Sequence, residues 1–306
     1  NHGDNYWFIM SKITSLDSIN RMDDVESEAE SELELDLFLE AVYRKYGYDF
    51  RLYSRASMKR RIKLQMHRLK LSNICELIHL VLHNEKEFAE ILSQMTVNVT
   101  EMYRDPDFFK TFREQVIPKL KSYPSLKIWH AGCASGEEVY SMCILLKEAQ
   151  LYDRSYIYAT DIDHSSLERA RKGIFSIDNV ARYSLNYIES GGLTSLSDYY
   201  TARYDSIIMD SSLKKNIIFA NHDLATDQSF AEMQVIICRN VVIYFNHRLQ
   251  NRVYQLFTRS LDLNGYLCLG TKESIRFSEC EPFYSVIDPQ YRIYCRNKQN
   301  DAFEIR

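Results

Sequence analysis

The run Trp129-His130-Ala131-Gly132-Cys133-Ala134-Ser135-Gly136-Glu137-Glu138 constrains this chain most, because an apolar stretch passes there into a helical pattern through a G-x-x-x-G turn. Leu126 to Ala131 reads as a short buried strand. Glu138 to Gln150 places Val139, Met142, Cys143, Leu145, Leu146 and Ala149 at the period of a helix. Glycine lets the backbone turn sharply and lets a ligand approach it closely. Strand, glycine turn and helix, in that order, build a site for a nucleotide-like ligand. A phosphate-binding turn presents bare helix N-terminal amides to its anion. Here Glu137 and Glu138 occupy that first helical turn and would repel one. The turn therefore favours a ligand carrying amine, hydroxyl or cationic groups.

Beyond the turn, strand signals at 126–131, 155–160, 216–219, 234–238, 265–270 and 291–296 are interleaved with helices at 138–150, 164–172 and 247–261. Such alternation predicts the α/β class, a doubly wound, parallel sheet with helices on both faces. Its ligand is expected at the carboxyl ends of the first strands. Residues 183–213, rich in Tyr and Ser with Gly191-Gly192 in a turn, break the rhythm and read as an insertion, a small antiparallel subdomain. From Leu35 to about Gln94 the pattern is wholly helical, with no proline and with Gly47 placed where a helix should stop. The expected divisions are a lead-in over 1–32, a helical domain over 33–95, a connecting segment over 96–125 and the α/β domain over 126–298. Within the lead-in, 1–9 read as an expression remnant ahead of Met10, and the acidic stretch 23–34 as flexible or as the frayed start of a helix.

Composition removes several classes. A net charge of -4 over 306 residues argues against a nucleic-acid partner. No apolar run reaches the about 18 residues that a membrane span requires, so no membrane insertion is expected. The seven cysteines form no C-x-x-C pair, which disfavours metal and disulfide frameworks and suits a reducing cytoplasm.

The strand at 155–160 leads into Asp161-Ile162-Asp163. An acidic residue at the tip of the second strand accepts hydrogen bonds from ribose hydroxyls, the role expected of Asp161, while Asp163 is placed to cap the following helix. A nicotinamide cofactor wants G-x-G-x-x-G, and the match fails at the second glycine. S-Adenosylmethionine fits better, since its sulfonium and ammonium suit a carboxylate-flanked turn and its ribose suits Asp161.

Four separated segments carry a resemblance: Asn98-Val99-Thr100-Glu101-Met102-Tyr103-Arg104, Ala131 to Glu138, Ala159-Thr160-Asp161-Ile162-Asp163, and Cys238-Arg239-Asn240-Val241-Val242-Ile243-Tyr244-Phe245. Over about 33–297 the chain resembles the CheR-type chemotaxis receptor methyltransferases, protein-glutamate O-methyltransferases that use S-adenosylmethionine and release S-adenosylhomocysteine. Tyr103 stands where that family more often has Phe. The resemblance implies a class I methyltransferase domain behind an all-helical amino-terminal domain. It implies cofactor contacts from Asn98, Thr100, Arg104, Ala131, Gly132, Glu138, Asp161, Asn221, His222, Asn240 and Val241, and catalytic roles for Arg104 and Tyr244. Arg104 would clamp the substrate carboxylate, and Tyr244 would orient the substrate or face the sulfonium. The blander alternatives are a surface ion pair of Arg104 with Asp105 or Asp107 and, for Tyr244 without the resemblance, a core aromatic.

Along 55–71 Met58, Ile62, Met66 and Leu69 share one helical face, and Lys59, Arg60, Lys63, His67 and Lys70 form a basic stripe beside it. A solvated face is the bland account, whereas the resemblance implies docking on a chemoreceptor's cytoplasmic helix. Family members that tether a receptor pentapeptide carry a glycine-rich loop that Gly191 to Ser195 matches poorly, so no such tether is expected. The alternative to a cytoplasmic enzyme is a regulatory protein that binds the cofactor without transferring its methyl group.

Overall fold

The computed structural model describes residues 31–96 and 100–297. Residues 1–30 of the lead-in expected over 1–32, and Asn98, lie outside the described residues. The described residues fall into two compact units, one of 31–51 with 55–91 and the other of 52–54 with 92–96 and 100–297.

The first unit is helical: α1 over 31–46, α2 Arg55–Leu69, α3 Ile74–His83 and the opening turns of α4 Glu85–Met95. Residues 31–34, expected to be flexible or the frayed start of a helix, are already helical, and Glu32 there is paired with Arg55 and Lys59. Gly47 ends α1 with φ +83°, its amide donating to the Tyr43 carbonyl at 2.9 Å. The core holds Leu35, Phe38, Leu39, Val42, Phe50, Met58, Ile62, Leu77 and Val81, with Tyr46 stacked on Phe88 at 3.7 Å. On α2, Arg61 and Gln65 are buried along with Met58 and Ile62, while Arg60, Lys63, Leu64 and His67 are exposed. Lys59 is drawn out of the expected basic stripe by Glu32.

In the second unit α5 Pro106–Thr111 runs through a π-helical turn, Phe112–Val116, into α6 Ile117–Leu120. Pro118 explains the widened turn, since it has no amide to continue the α pattern. There follow β1 Leu126–Ala131, α7 Glu137–Glu148, β2 Ser155–Asp161, α8 His164–Lys172, β3 Ile174–Ser176, α9 Val180–Glu189, β4 Tyr200–Arg203 and β5 Ser206–Met209. The chain continues with β6 Ile217–Asn221, β7 Met233–Cys238, α10 His247–Ser260, β8 Leu261–Leu269, β9 Tyr284–Asp288 and β10 Ile293–Arg296.

The main sheet is ordered β6-β2-β1-β7-β8-β10-β9, parallel from β6 to β8 and antiparallel in its last two pairings. β1 and β7 are buried almost throughout, as strands covered on both faces must be, which is why they read as continuous apolar runs. From β1 the chain proceeds outward to β2 and β6 on one side, then returns to β7 on the other. That reversal opens a crevice at the carboxyl end of β1, the place where such sheets take ligands.

A second sheet, β3-β5-β4, is antiparallel. It spans Ile174 to Met209, so the antiparallel structure begins before the 183 expected from the sequence and contains the helix α9. β3 is only three residues long and follows Gly173 directly, too short to produce an alternating pattern. β9, with an exposed or half-exposed pattern after Tyr284, also has no such signal. Among the described residues no helix is long and apolar enough to cross a membrane.

Candidate active site

The crevice beside β1 is a cleft lined by Thr100, Arg104, Gly132, Cys133, Ala134, Glu138, Arg239, Asn240 and Val241. It is assembled from the segment before α5, the glycine turn and the loop after β7.

The turn is held from behind by β2. The amides of Gly132 and Cys133 both donate to the Thr160 carbonyl, at 2.8 and 2.9 Å. Gly132 has φ +81°, and a Cβ there would stand 2.6 Å from Cγ2 of Val241 across the cleft. Gly136 has φ +93°, and a Cβ there would lie 2.8 Å from the Cβ of Ala170 on α8. One glycine keeps the cleft open, and the other lets the two helices close together.

Asp161 ties this turn to the end of β2, accepting from the Ala134 amide at 2.8 Å and the Asp163 amide at 2.9 Å. Burial pushes its carboxyl above the usual range, and the backbone donors pull the other way. Each carboxylate oxygen has two lone pairs, so capacity for hydroxyl donors is left. Asp163 caps α8, accepting from the Ser165 amide at 3.0 Å.

The two glutamates of the turn part company. Glu137 is turned inward, 7% exposed, with Ser135 Oγ donating to it at 2.7 Å, so it does not flank the ligand as the sequence suggests. Burial raises its carboxyl to about 7. Only Glu138 faces the cleft. Its Oε2 accepts from Arg239 Nη1 at 2.7 Å, and its Oε1 lies 3.5 Å from His130 Nδ1. Burial alone would raise the Glu138 carboxyl, but Arg239 and His130 together outweigh it and hold it below the usual range.

Arg239, whose role the sequence does not disclose, is the centre of the site. Its side chain is 1% exposed and donates to Glu138, to the Arg104 carbonyl at 3.1 Å and to Asp105 Oδ2, with the guanidinium 4.1 Å from the centre of the Phe108 ring. Asp105 is thus engaged by Arg239, and Asp107 accepts from the Tyr291 hydroxyl at 3.0 Å.

The loop after β7 has its own organiser. Glu273, 3% exposed, accepts from the amides of Gly270 at 2.6 Å, Asn240 at 2.9 Å, Val241 at 2.8 Å and Ile243 at 3.2 Å. Burial raises its carboxyl and the four amides oppose that. They fix Asn240 at φ +63° and bring Val241 to the cleft wall. In the sequence Glu273 stands in Gly270-Thr271-Lys272-Glu273 just past an apolar strand, with nothing to set it apart from a solvated strand end.

Of the residues expected in the site, Thr100, Arg104, Gly132, Glu138, Asn240 and Val241 converge on the cleft. Ala131, 1% exposed, ends β1 behind it. Asn221 and His222 brace the strand ends: Asn221 Nδ2 donates to the carbonyls of Asp161 and Ile162 at 3.2 and 3.0 Å, and the His222 amide to Asp161 at 3.2 Å. The His222 ring lies edge-on to Trp129 at 5.2 Å. Tyr244 is half-buried in the 3-10 turn Val242–Tyr244, beyond the cleft lining. An acidic Glu138, the partly used Asp161 and a turn without Cβ at Gly132 fit a cationic, ribose-bearing ligand.

Sheet order, glycine turn and strand-end carboxylate define the class, a Rossmann-like methyltransferase. Residues 98–291 match the model of the CheR methyltransferase, SAM binding domain, and residues 33–96 match the CheR methyltransferase, all-alpha domain. The chain belongs to the CheR methyltransferase family and binds S-adenosylmethionine. It is 48% identical over 265 residues to a Pseudomonas putida protein named "Putative methyltransferase Cher3", covering 86% of this chain and 97% of that one. It is 31% identical to a "Chemotaxis protein methyltransferase" of Listeria monocytogenes over 78% of this chain and 88% of the relative. A solved N-methyltransferase, NodS of Bradyrhizobium japonicum with S-adenosylhomocysteine, aligns over 55% of this chain and 62% of its own at 12% identity and a TM-score of 0.32.

Two measurements follow from this geometry. The folded Glu137 carboxyl, at about 7, lies above its ordinary 4.5, so the stability it contributes is complete below 4.5 and is lost as pH rises through 7. Glu137→Gln cannot ionise, so in urea titrations its stability relative to the native sequence is expected to rise by about 2 kcal/mol between about pH 5 and about pH 8. A difference independent of pH would mean that Glu137 is not a buried acid. Arg239→Lys keeps the charge but loses the planar fork that reaches three acceptors. It is expected to weaken S-adenosylhomocysteine binding about tenfold by calorimetry, and unchanged affinity would remove Arg239 from the centre of the site.

Proposed function

We propose that this protein methylates glutamate side chains on the cytoplasmic region of a chemoreceptor, forming glutamate methyl esters and S-adenosylhomocysteine. The observation that carries the reading is Arg104, a cation that lines the same cleft as the carboxylate Glu138. Relatives named chemotaxis protein methyltransferase support the substrate class. The cofactor supplies an electrophilic methyl group. A glutamate is ionised near neutral pH and needs no strong base to attack it. A carboxylate oxygen forms the bond to the methyl carbon as the carbon–sulfur bond breaks, and the sulfur leaves as a neutral thioether.

The protein's part is alignment and exclusion of water. Arg104 holds one carboxylate oxygen so that a lone pair of the other is aimed at the methyl group. Glu138 attracts the amino-acid portion of the cofactor, Asp161 takes its ribose, and Thr100, Asn240 and Val241 enclose it. Ala131, Gly132, Asn221 and His222 shape the floor on which it rests, and Tyr244 orients the substrate at the mouth. Asn98 has its expected cofactor role on family grounds alone. On α2 the exposed Arg60, Lys63 and His67, with Leu64 between them and Lys70 just beyond, suit an acidic receptor helix. Docking does not depend on a pentapeptide tether; specific binding of such a peptide to the isolated chain would contradict this.

The test is transfer of labelled methyl from S-adenosylmethionine to receptor cytoplasmic fragments, read as base-labile ester. Cofactor binding without ester on any receptor would leave a binding protein rather than an enzyme. Arg104→Ala is expected to lower kcat on the order of a hundredfold with a much smaller change in cofactor Kd, as loss of a transition-state clamp does. Equal losses would make Arg104 a cofactor ligand instead. Charge reversal at Arg60 and Lys63 together is expected to raise KM for the receptor fragment several-fold with kcat retained; an unchanged KM would rule out docking on this face.

A further inference from the structure

Arg104 sits on an improbable piece of backbone. Tyr103 before it has φ +52° and Asp105 after it φ +57°, left-handed conformations that a bulky tyrosine rarely adopts. Such a conformation is unfavourable for a residue with a side chain and persists only where the surroundings impose it. Arg239 holds one end, through the Arg104 carbonyl and Asp105. The other end is gripped by α9, the helix of the antiparallel insertion.

Three successive residues of the segment meet that helix. Glu101 is paired with Arg182 Nε at 2.8 Å. The Met102 carbonyl accepts from Asn186 Nδ2 at 3.0 Å. The Tyr103 ring stands edge-on to Tyr187 at 5.3 Å, and its amide donates to Ser141 Oγ of α7 at 2.9 Å. α9 is itself anchored to the main domain: the Tyr187 hydroxyl donates to Glu148, whose side chain is 3% exposed and is paired with Arg113 at 2.7 Å. Arg182 and Asn186, four residues apart, share one helical face. Thr100 and Arg104, at the two ends of the gripped segment, are both in the cleft wall.

We propose that α9 is a positioning element for methyl transfer, with Asn186 and Arg182 setting the backbone that presents Thr100 to the cofactor and Arg104 to the substrate carboxylate. The insertion, outside the sheet that builds the site, thereby controls the geometry of the cleft-lining segment drawn from before β1. This rests on the cleft being the cofactor site.

The experiment is calorimetric titration of the full chain with S-adenosylhomocysteine, at a temperature where circular dichroism shows every variant folded, so that lost stability alone cannot move Kd. Asn186→Ala is expected to weaken binding about three- to tenfold, the fold-change of one lost hydrogen bond. Arg182→Glu, at a side chain 56% exposed and therefore tolerant of change, is expected to weaken it about two- to fivefold. Arg182→Lys restores native affinity, and Ile188→Ala, on the exposed face of α9, leaves it unchanged. If Asn186→Ala and Arg182→Glu lower the melting temperature but bind as the native chain does, α9 is merely structural and the proposal is overturned; should Asn186→Ala not fold, Arg182→Glu against Arg182→Lys decides it alone. A native chain that does not bind S-adenosylhomocysteine overturns the cleft assignment and this inference with it.

Discussion

A single buried guanidinium joins the parts of this site. Arg239 leaves the end of β7, reaches Glu138 at the head of α7 and catches both the carbonyl of Arg104 and the carboxylate of Asp105. Three stretches of chain distant in sequence meet on one planar fork, which a lysine could not reproduce. A positive charge that deep is tolerable only when paired and hydrogen-bonded. Two carboxylates and the Phe108 ring supply that here.

The same device recurs without the cation. Asp161 and Glu273 are buried acids whose oxygens collect backbone amides, one from the glycine turn and the other from the loop after β7. Loops at the carboxyl edge of a parallel sheet have few regular hydrogen bonds of their own. Each of these two is organised by one carboxylate placed where its amides converge.

The sequence discloses most of what repeats and little of what is unique. The parallel strands are legible because burial on both faces makes them continuous apolar runs, as in Met233 to Cys238. The glycine turn and Asp161 are legible because their backbone demands restrict residue type. Arg239 and Glu273 are not: an arginine or glutamate near an apolar strand looks like a solvated strand end until the fold encloses it. Glu137 misleads for the related reason that adjacent residues on a helix face different ways, so a pair of acids in sequence becomes one acid in the cleft and one in the interior. The insertion is misplaced because its first strand has too few residues to show a period.

The four amides gathered by Glu273 have a thermodynamic corollary. A loop already fixed at Asn240, Val241 and Ile243 has little conformational freedom left to lose when a ligand arrives. The entropy of ordering that wall is spent during folding, which makes the recognition surface rigid beforehand and keeps the affinity for the cofactor from being taxed by loop closure.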